Sequence, residues 1–267
     1  MRRLGRRIGW WVAPAAFVLA GESWEVLNRQ GAELFKQRRP AEAAAALERS
    51  LELNPRQPAT AKLLGLCYQL TEDDEKAESA FRRATELTPR DAEAWFFLGR
   101  HYYKMNFFDK AAEALENSRK LDARDPRVHT FRGLTFEALG RVGEAEQAYR
   151  TAVAANERLP APSFRPHFSY GALLLKLGRL AESERHLRRA VELEPGLWEP
   201  HFELAKLLYR QGRLEPARRA VESALATNTA KPEEAARLYH LLARILLDMG
   251  CAEEAAEALR KREALSP

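Results

Sequence analysis

The chain has 267 residues, of which 46% are hydrophobic and 30% charged, with a formal charge of +5. That composition and a mean hydropathy of −0.47 suit a soluble helical protein of one or two domains. Four of the arginines, Arg2, Arg3, Arg6 and Arg7, precede Ala20, and without them the charge falls to +1. The pI of 9.3 is therefore no argument for nucleic acid.

Residues 1–20 form a distinct segment. The four arginines lead into an uncharged stretch from Ile8 to Ala20 that closes Val18-Leu19-Ala20 before Gly21. A basic start, a short apolar run and small residues at the end are the layout of a secretory signal peptide. The run is shorter than the roughly 20 residues that span a bilayer. The segment predicts export to the periplasm or the medium, with an uncleaved inner-membrane anchor as the second reading.

From residue 24 onward a pattern returns every 34 residues, with Gly31, Gly65, Gly99 and Gly133 at equal spacing. The second repeat shows its other members as Leu64, Tyr68, Ala77, Phe81, Ala84 and Pro89. Trp95, Leu98 and Tyr102 lie on one face of a first helix, and Ala77, Phe81 and Ala84 on one face of a second. Proline near the thirty-second position ends the second helix, because it lacks an N–H and clashes with the preceding turn. No stretch reads as a strand.

These residues and their spacing resemble the tetratricopeptide repeat. The resemblance implies an all-α, right-handed superhelical solenoid of antiparallel helix pairs over residues 21–267. Seven units begin near Trp24, Pro58, Ala92, Pro126, Phe164, Trp198 and Ala236. The fourth and sixth are four residues longer than the rest. The extra residues fall around 156–163, where Pro160 and Pro162 predict a loop, and around 226–231. Position 27 is small in six units but Arg262 in the seventh, as suits a terminal helix, and the array is expected to stop at Pro267.

Catalytic and metal-binding motifs are missing from the sequence. It has no HExxH, no phosphate-binding glycine loop, no GxSxG and no CxxC. Cys67 and Cys251 lie five units apart, too far for a disulfide. His129, His167 and His201 share the fourth position of successive units, where Trp95 stands in the third. Stacked repeats hold such positions too far apart for one metal ion, so these rings are expected to pack between helices. No cofactor and no enzymatic activity are expected.

In the family the resemblance implies, first helices line a groove through positions 2, 5, 6, 9, 12 and 13. Here those positions carry twelve basic residues, Arg29, Lys36, Lys62, Arg100, Lys104, Arg127, Arg165, Lys176, Lys206, Arg210, Arg237 and Arg244. Six acids oppose them, Glu25, Glu93, Glu137, Glu199, Glu203 and Asp248. Aromatic residues join the same face as Phe96, Phe97, Tyr103, Phe131, Phe168, Phe202 and Tyr209, densest between Trp95 and Phe108. Rings and arginines dominate interface hot spots. The expected partner is a protein or peptide, extended and acidic or partly acidic, with no nucleic acid and with membrane contact only through an uncleaved N-terminal segment.

Two specialised grooves of the family are absent. The carboxylate clamp of chaperone-binding members would fall on Asn28, Ala32, Leu63, Glu93 and Phe97, which do not match it. The asparagine ladder of sugar-transferase relatives would fall at position 6, where this chain has Arg29, Leu63, Phe97, Phe131, Ser169, Glu203 and Leu241. Two alternatives to peptide binding stay open. One is a structural or targeting role for the convex face in an envelope assembly, and the other is an anionic polysaccharide.

Overall fold

The computed structural model describes residues 23–227 and 231–265, so the signal-like segment and Pro267 lie outside the described residues. The described elements are fourteen α-helices. The described residues divide into two compact units, one ending at Leu87 and the other beginning at Thr88. The first carries α1 (Trp24–Lys36), α2 (Pro40–Leu53), α3 (Pro58–Leu70) and α4 (Asp74–Leu87). The second carries α5 (Ala92–Lys104), α6 (Phe108–Leu121), α7 (Pro126–Ala138), α8 (Val142–Asn156), α9 (Arg165–Lys176), α10 (Leu180–Leu193), α11 (Trp198–Arg210), α12 (Leu214–Thr227), α13 (Pro232–Asp248) and α14 (Ala252–Ala264).

Each pair is closed by the same turn. The fifteenth position of all seven repeats has positive φ, at Arg38, Glu72, Asn106, Gly140, Gly178, Gly212 and Gly250. The next residue's N–H then reaches back across the helix end, as in Arg39 to the Leu34 carbonyl and Arg213 to the Leu208 carbonyl, both 3.0 Å. This bond satisfies a carbonyl that the ending helix would otherwise leave open. Side-chain ion pairs extend the turn, with Arg141 on Glu144 and Arg179 on Glu182, each at 2.6 Å.

Inside a pair, position 8 meets position 24. A Cβ built on Gly133 would stand 2.5 Å from the ring of Tyr149, so only glycine lets so large a partner approach. The sixth repeat balances the same contact differently, with Ala205 against the smaller Val221, and both are fully buried. Position 27 adds polar closure as well as small size. Ser50 donates to the Trp24 carbonyl at 2.9 Å and Ser118 to the Ala92 carbonyl at 2.8 Å.

The two insertions do different things. After α8 the loop holding Pro160 and Pro162 is closed by Asn156, whose fully buried amide donates to the Ser163 carbonyl at 2.8 Å and accepts from its N–H at 2.9 Å. The sixth repeat's extra residues go largely into helix. α13 starts at Pro232, a turn earlier than the Ala236 expected from the repeat, and runs 17 residues where α11 has 13.

Within the second unit the odd-numbered helices touch in succession, α5 with α7, α7 with α9, α9 with α11 and α11 with α13. Among the described residues no two even-numbered helices of that unit do so. The odd helices therefore form the tighter inner layer. The even helices fan out behind it.

A candidate ligand groove on the inner helices

The inner layer is set in place by ring nitrogens at position 4. Trp95 Nε1 donates to the Pro89 carbonyl at 3.0 Å, and His129 Nε2 and His201 Nε2 meet the Ala123 and Pro195 carbonyls at 2.9 and 3.0 Å. The histidines thus take the tryptophan's place by hydrogen bonding a carbonyl six residues upstream. In the fifth repeat the longer loop removes that carbonyl, and His167 Nε2 turns to Glu157 Oε1 at 2.7 Å. Among the described residues no group of three potential metal ligands occurs.

On this layer lies a run of aromatic rings. Phe97 and Phe131 each stand 5.6 Å from Phe96, Phe131 stands 5.8 Å from Tyr103, and Tyr103 stands 5.8 Å from Phe108. Such separations suit tilted and edge contacts between rings. The sequence places Phe96 and Phe202 on the groove, but the structure puts both in the core, at 2% and 7% exposure. In these two repeats the ring at position 5 packs inward, Phe96 on Leu115 and Val128 and Phe202 in the cluster with Leu175 and Leu238. Phe97, Tyr103, Phe131, Phe168 and Tyr209 stay half-buried.

Cations stand over several aromatic rings of this unit. Arg100 lies 5.1 Å from the centre of Phe97, Arg127 lies 4.9 Å from Phe96, and Arg165 lies 5.2 Å from Phe164. Farther along, Arg237 lies 5.4 Å from Phe202 and Arg244 lies 5.3 Å from Tyr209. Burial depresses the Arg100 pKa below its usual value, and the like charges of Arg127 and Arg165 add to it. Arg100 on α5 therefore senses the cations of α7 and α9. Like charges so arranged favour an anion between them.

Part of the basic surplus is neutralised internally. Arg127 grips Asp125 at 2.7 Å, Lys176 meets Glu137 at 2.5 Å, and Lys206 meets Glu203 at 2.8 Å. Arg210 donates to the Leu175 carbonyl at 2.8 Å, at the C-terminal end of α9. The Tyr209 hydroxyl donates to Asp248 at 2.6 Å. Arg165 and Arg237 form no ion pair among the described residues, and Lys104 is exposed. The sequence cannot show these pairings, because they join repeats or depend on rotamers. The outer helices carry pairs too, as Arg188 and Arg213 both meet Glu184 at 2.8 Å. These hold the Glu184 carboxyl near a pKa of about 2, against a burial effect that acts the other way.

With its paired helices and repeated turn, the chain belongs to the tetratricopeptide repeat family. Residues 12–238 match the family described as the cilia and flagella-associated protein 70 C-terminal domain. Residues 236–267 match the tetratricopeptide repeat itself. No curated protein matches the sequence. Among solved structures, a tetratricopeptide repeat protein from Parabacteroides merdae is 20% identical with a TM-score of 0.69, over 92% of this chain and 94% of that one. PilF from Pseudomonas aeruginosa is 22% identical with a TM-score of 0.65, over 75% of this chain and 88% of that one. The anaphase-promoting complex hetero-tetramer Cut9-Hcn1 is 17% identical with a TM-score of 0.74, over 84% of this chain. This chain spans 43% of the length of that relative. At these identities the likeness shows the fold. An array of this fold is a scaffold for protein–protein interaction.

Proposed function

We propose that the protein is a non-catalytic scaffold whose second unit holds an extended, acidic peptide or protein segment against the inner helices. The supporting observation is the run of half-buried rings from Phe97 to Tyr103 with Arg100 standing over Phe97, flanked by Arg127 over the buried Phe96 and Arg165 over the buried Phe164. Rings supply desolvated contact area, and cations steer and orient an acidic chain. Both faces pair charges, the outer as in Arg218 with Glu222 and Glu254 and the inner as in Lys176 with Glu137, and the inner face adds the run of rings.

A fluorescein-labelled peptide rich in Asp and Glu, titrated with the full chain, tests the reading. Binding should weaken steeply as salt rises, because exposed charges are screened. It should drop about tenfold or more in Phe97→Ala with Arg165→Ala, while Arg185→Glu on the outer helix α10 leaves it unchanged. Affinity that ignores salt and the groove variants would overturn the proposal.

Export is part of the same proposal and rests on residues 1–20 alone. Among the described residues no helix is long and apolar enough to cross a membrane. The mass of the protein isolated from its own cells tests cleavage after Ala20. An intact Met1 in the native protein would contradict it.

A further inference from the structure

One arrangement occurs twice in the second unit. The buried ring of Phe96 carries Arg100 from its own helix at 5.9 Å and Arg127 from the next inner helix at 4.9 Å. The buried ring of Phe202 carries Lys206 from its own helix at 5.5 Å and Arg237 from the next inner helix at 5.4 Å. In both cases the ring stands at position 5, the near cation at position 9 and the far one at position 2 of the following repeat. The repeats between do not reproduce it, since Phe168 has Ala172 and Glu199 at the corresponding places. Each pair of cations converges on a ring that packing holds still, at 2% and 7% exposure. In each pair one cation already holds a carboxylate of this chain, Arg127 that of Asp125 at 2.7 Å and Lys206 that of Glu203 at 2.8 Å. A cation pair over a rigid apolar floor thus takes a carboxylate here, and an incoming one shares or displaces it.

We infer that these are two equivalent anion subsites and that the partner is a bipartite acidic peptide, with one acidic cluster for each. The inference rests on the groove reading above and gives it a spacing. Phe96 and Phe202 lie on α5 and α11, three neighbour steps apart through α7 and α9. Packed helices are about 8–10 Å apart, which puts the subsites about 24–30 Å apart. An extended chain covers about 3.3–3.6 Å per residue, so the acidic clusters stand about eight residues apart. Phe131 and Phe168, both half-buried, lie on the helices between the two subsites and offer apolar contact to the linking segment.

The test uses the full chain and labelled peptides in which two Asp-Glu pairs are separated by about three, eight or fourteen Gly and Ser residues, with a single-pair peptide as reference. The spacer of about eight should bind about tenfold or more tightly than the single pair, and the other two less so, because simultaneous engagement needs the linker to match the span. Arg127→Ala and Arg237→Ala, both at exposed side chains, should each reduce the best peptide to single-pair affinity while far-UV circular dichroism is unchanged. Affinity that follows acidic content regardless of spacing would overturn the bipartite inference and leave the groove reading standing, provided Arg127→Glu still abolishes it. Failure of every peptide to bind at low salt would overturn both. A sulfated oligosaccharide that displaces the best peptide and outbinds it would also overturn the peptide as occupant.

Discussion

The guanidinium of Arg127, on α7, stands 4.9 Å from the ring centre of Phe96, on α5, although one side chain is exposed and the other is 2% exposed. The contact joins two repeats and separates two kinds of aromatic residue that adjoin in sequence. Phe96 supports the surface and Phe97 forms it. Phe96→Ala should cost about 3–5 kcal/mol of unfolding free energy, as for other large core deletions. Phe97→Ala should cost much less and weaken peptide binding instead. Denaturant unfolding of the two variants checks the split, and equal stability losses would contradict it.

The seven left-handed turn positions make a prediction about stability. Four are glycine, but Arg38, Glu72 and Asn106 hold the same conformation with φ near 60°. That region costs a residue bearing Cβ about 1–2 kcal/mol, while glycine adds unfolded-state entropy that offsets part of the gain. Arg38→Gly and Glu72→Gly should each stabilise by about 0.5–1 kcal/mol. Asn106→Gly should gain less, because asparagine tolerates this conformation. Gly178→Val should destabilise. Thermal melts of the four variants check the order.

His167 and His186 face each other with their Nδ1 atoms 2.9 Å apart, while His167 Nε2 lies 2.7 Å from Glu157. The carboxylate fixes the His167 proton on Nε2, so its Nδ1 accepts from His186, and the bond is lost when both rings are protonated and two donors face each other. Burial pushes both pKa values down, that of His186 to about 4 with His167 as a further cause. The unfolded chain therefore takes up protons first. Stability from this pair is complete above the ordinary histidine value of about 6.5 and falls as pH drops from there toward about 4. The loss from His186 should be at most about 3 kcal/mol. Unfolding measured from pH 7 to 4.5 should show a slope that His186→Leu flattens, and an unchanged slope would contradict this account.

Asn156 closes the insertion after α8 with two bonds to one residue, Ser163. Asn156→Asp replaces a donor with an oxygen facing the Ser163 carbonyl, whereas Asn156→Ala removes both bonds to the Ser163 backbone. Each should cost about 1–2 kcal/mol, since part-buried hydrogen bonds would be lost. Faster proteolysis within residues 157–164 should accompany the loss. Wild-type stability in both variants would show that the loop closes without this amide.

Much of the fold is legible in the sequence because the repeat imposes the same contact many times. Gly65 and Phe81, or Gly99 and Leu115, can be read as partners from spacing alone. The positive-φ turn is legible too, in Gly140, Gly178, Gly212 and Gly250, although Arg38, Glu72 and Asn106 conceal its earlier members. The groove is less legible. Family positions assign Phe96 and Phe202 to the surface, yet packing between helices buries both. Formal charge counts Lys176, Lys206 and Arg127 as available, yet Glu137, Glu203 and Asp125 hold them. The longer α13 escapes notice because an added turn preserves the apolar period, whereas Pro160 and Pro162 announce their loop.

The central claim is that the inner helices are the working surface, and photo-crosslinking tests it most directly. An acidic peptide carrying a benzophenone at its centre, irradiated with the full chain and mapped by mass spectrometry, should attach to α7 and α9, around Phe131 and Phe168. Crosslinks confined to the outer helices α8, α10 and α12 would contradict the account.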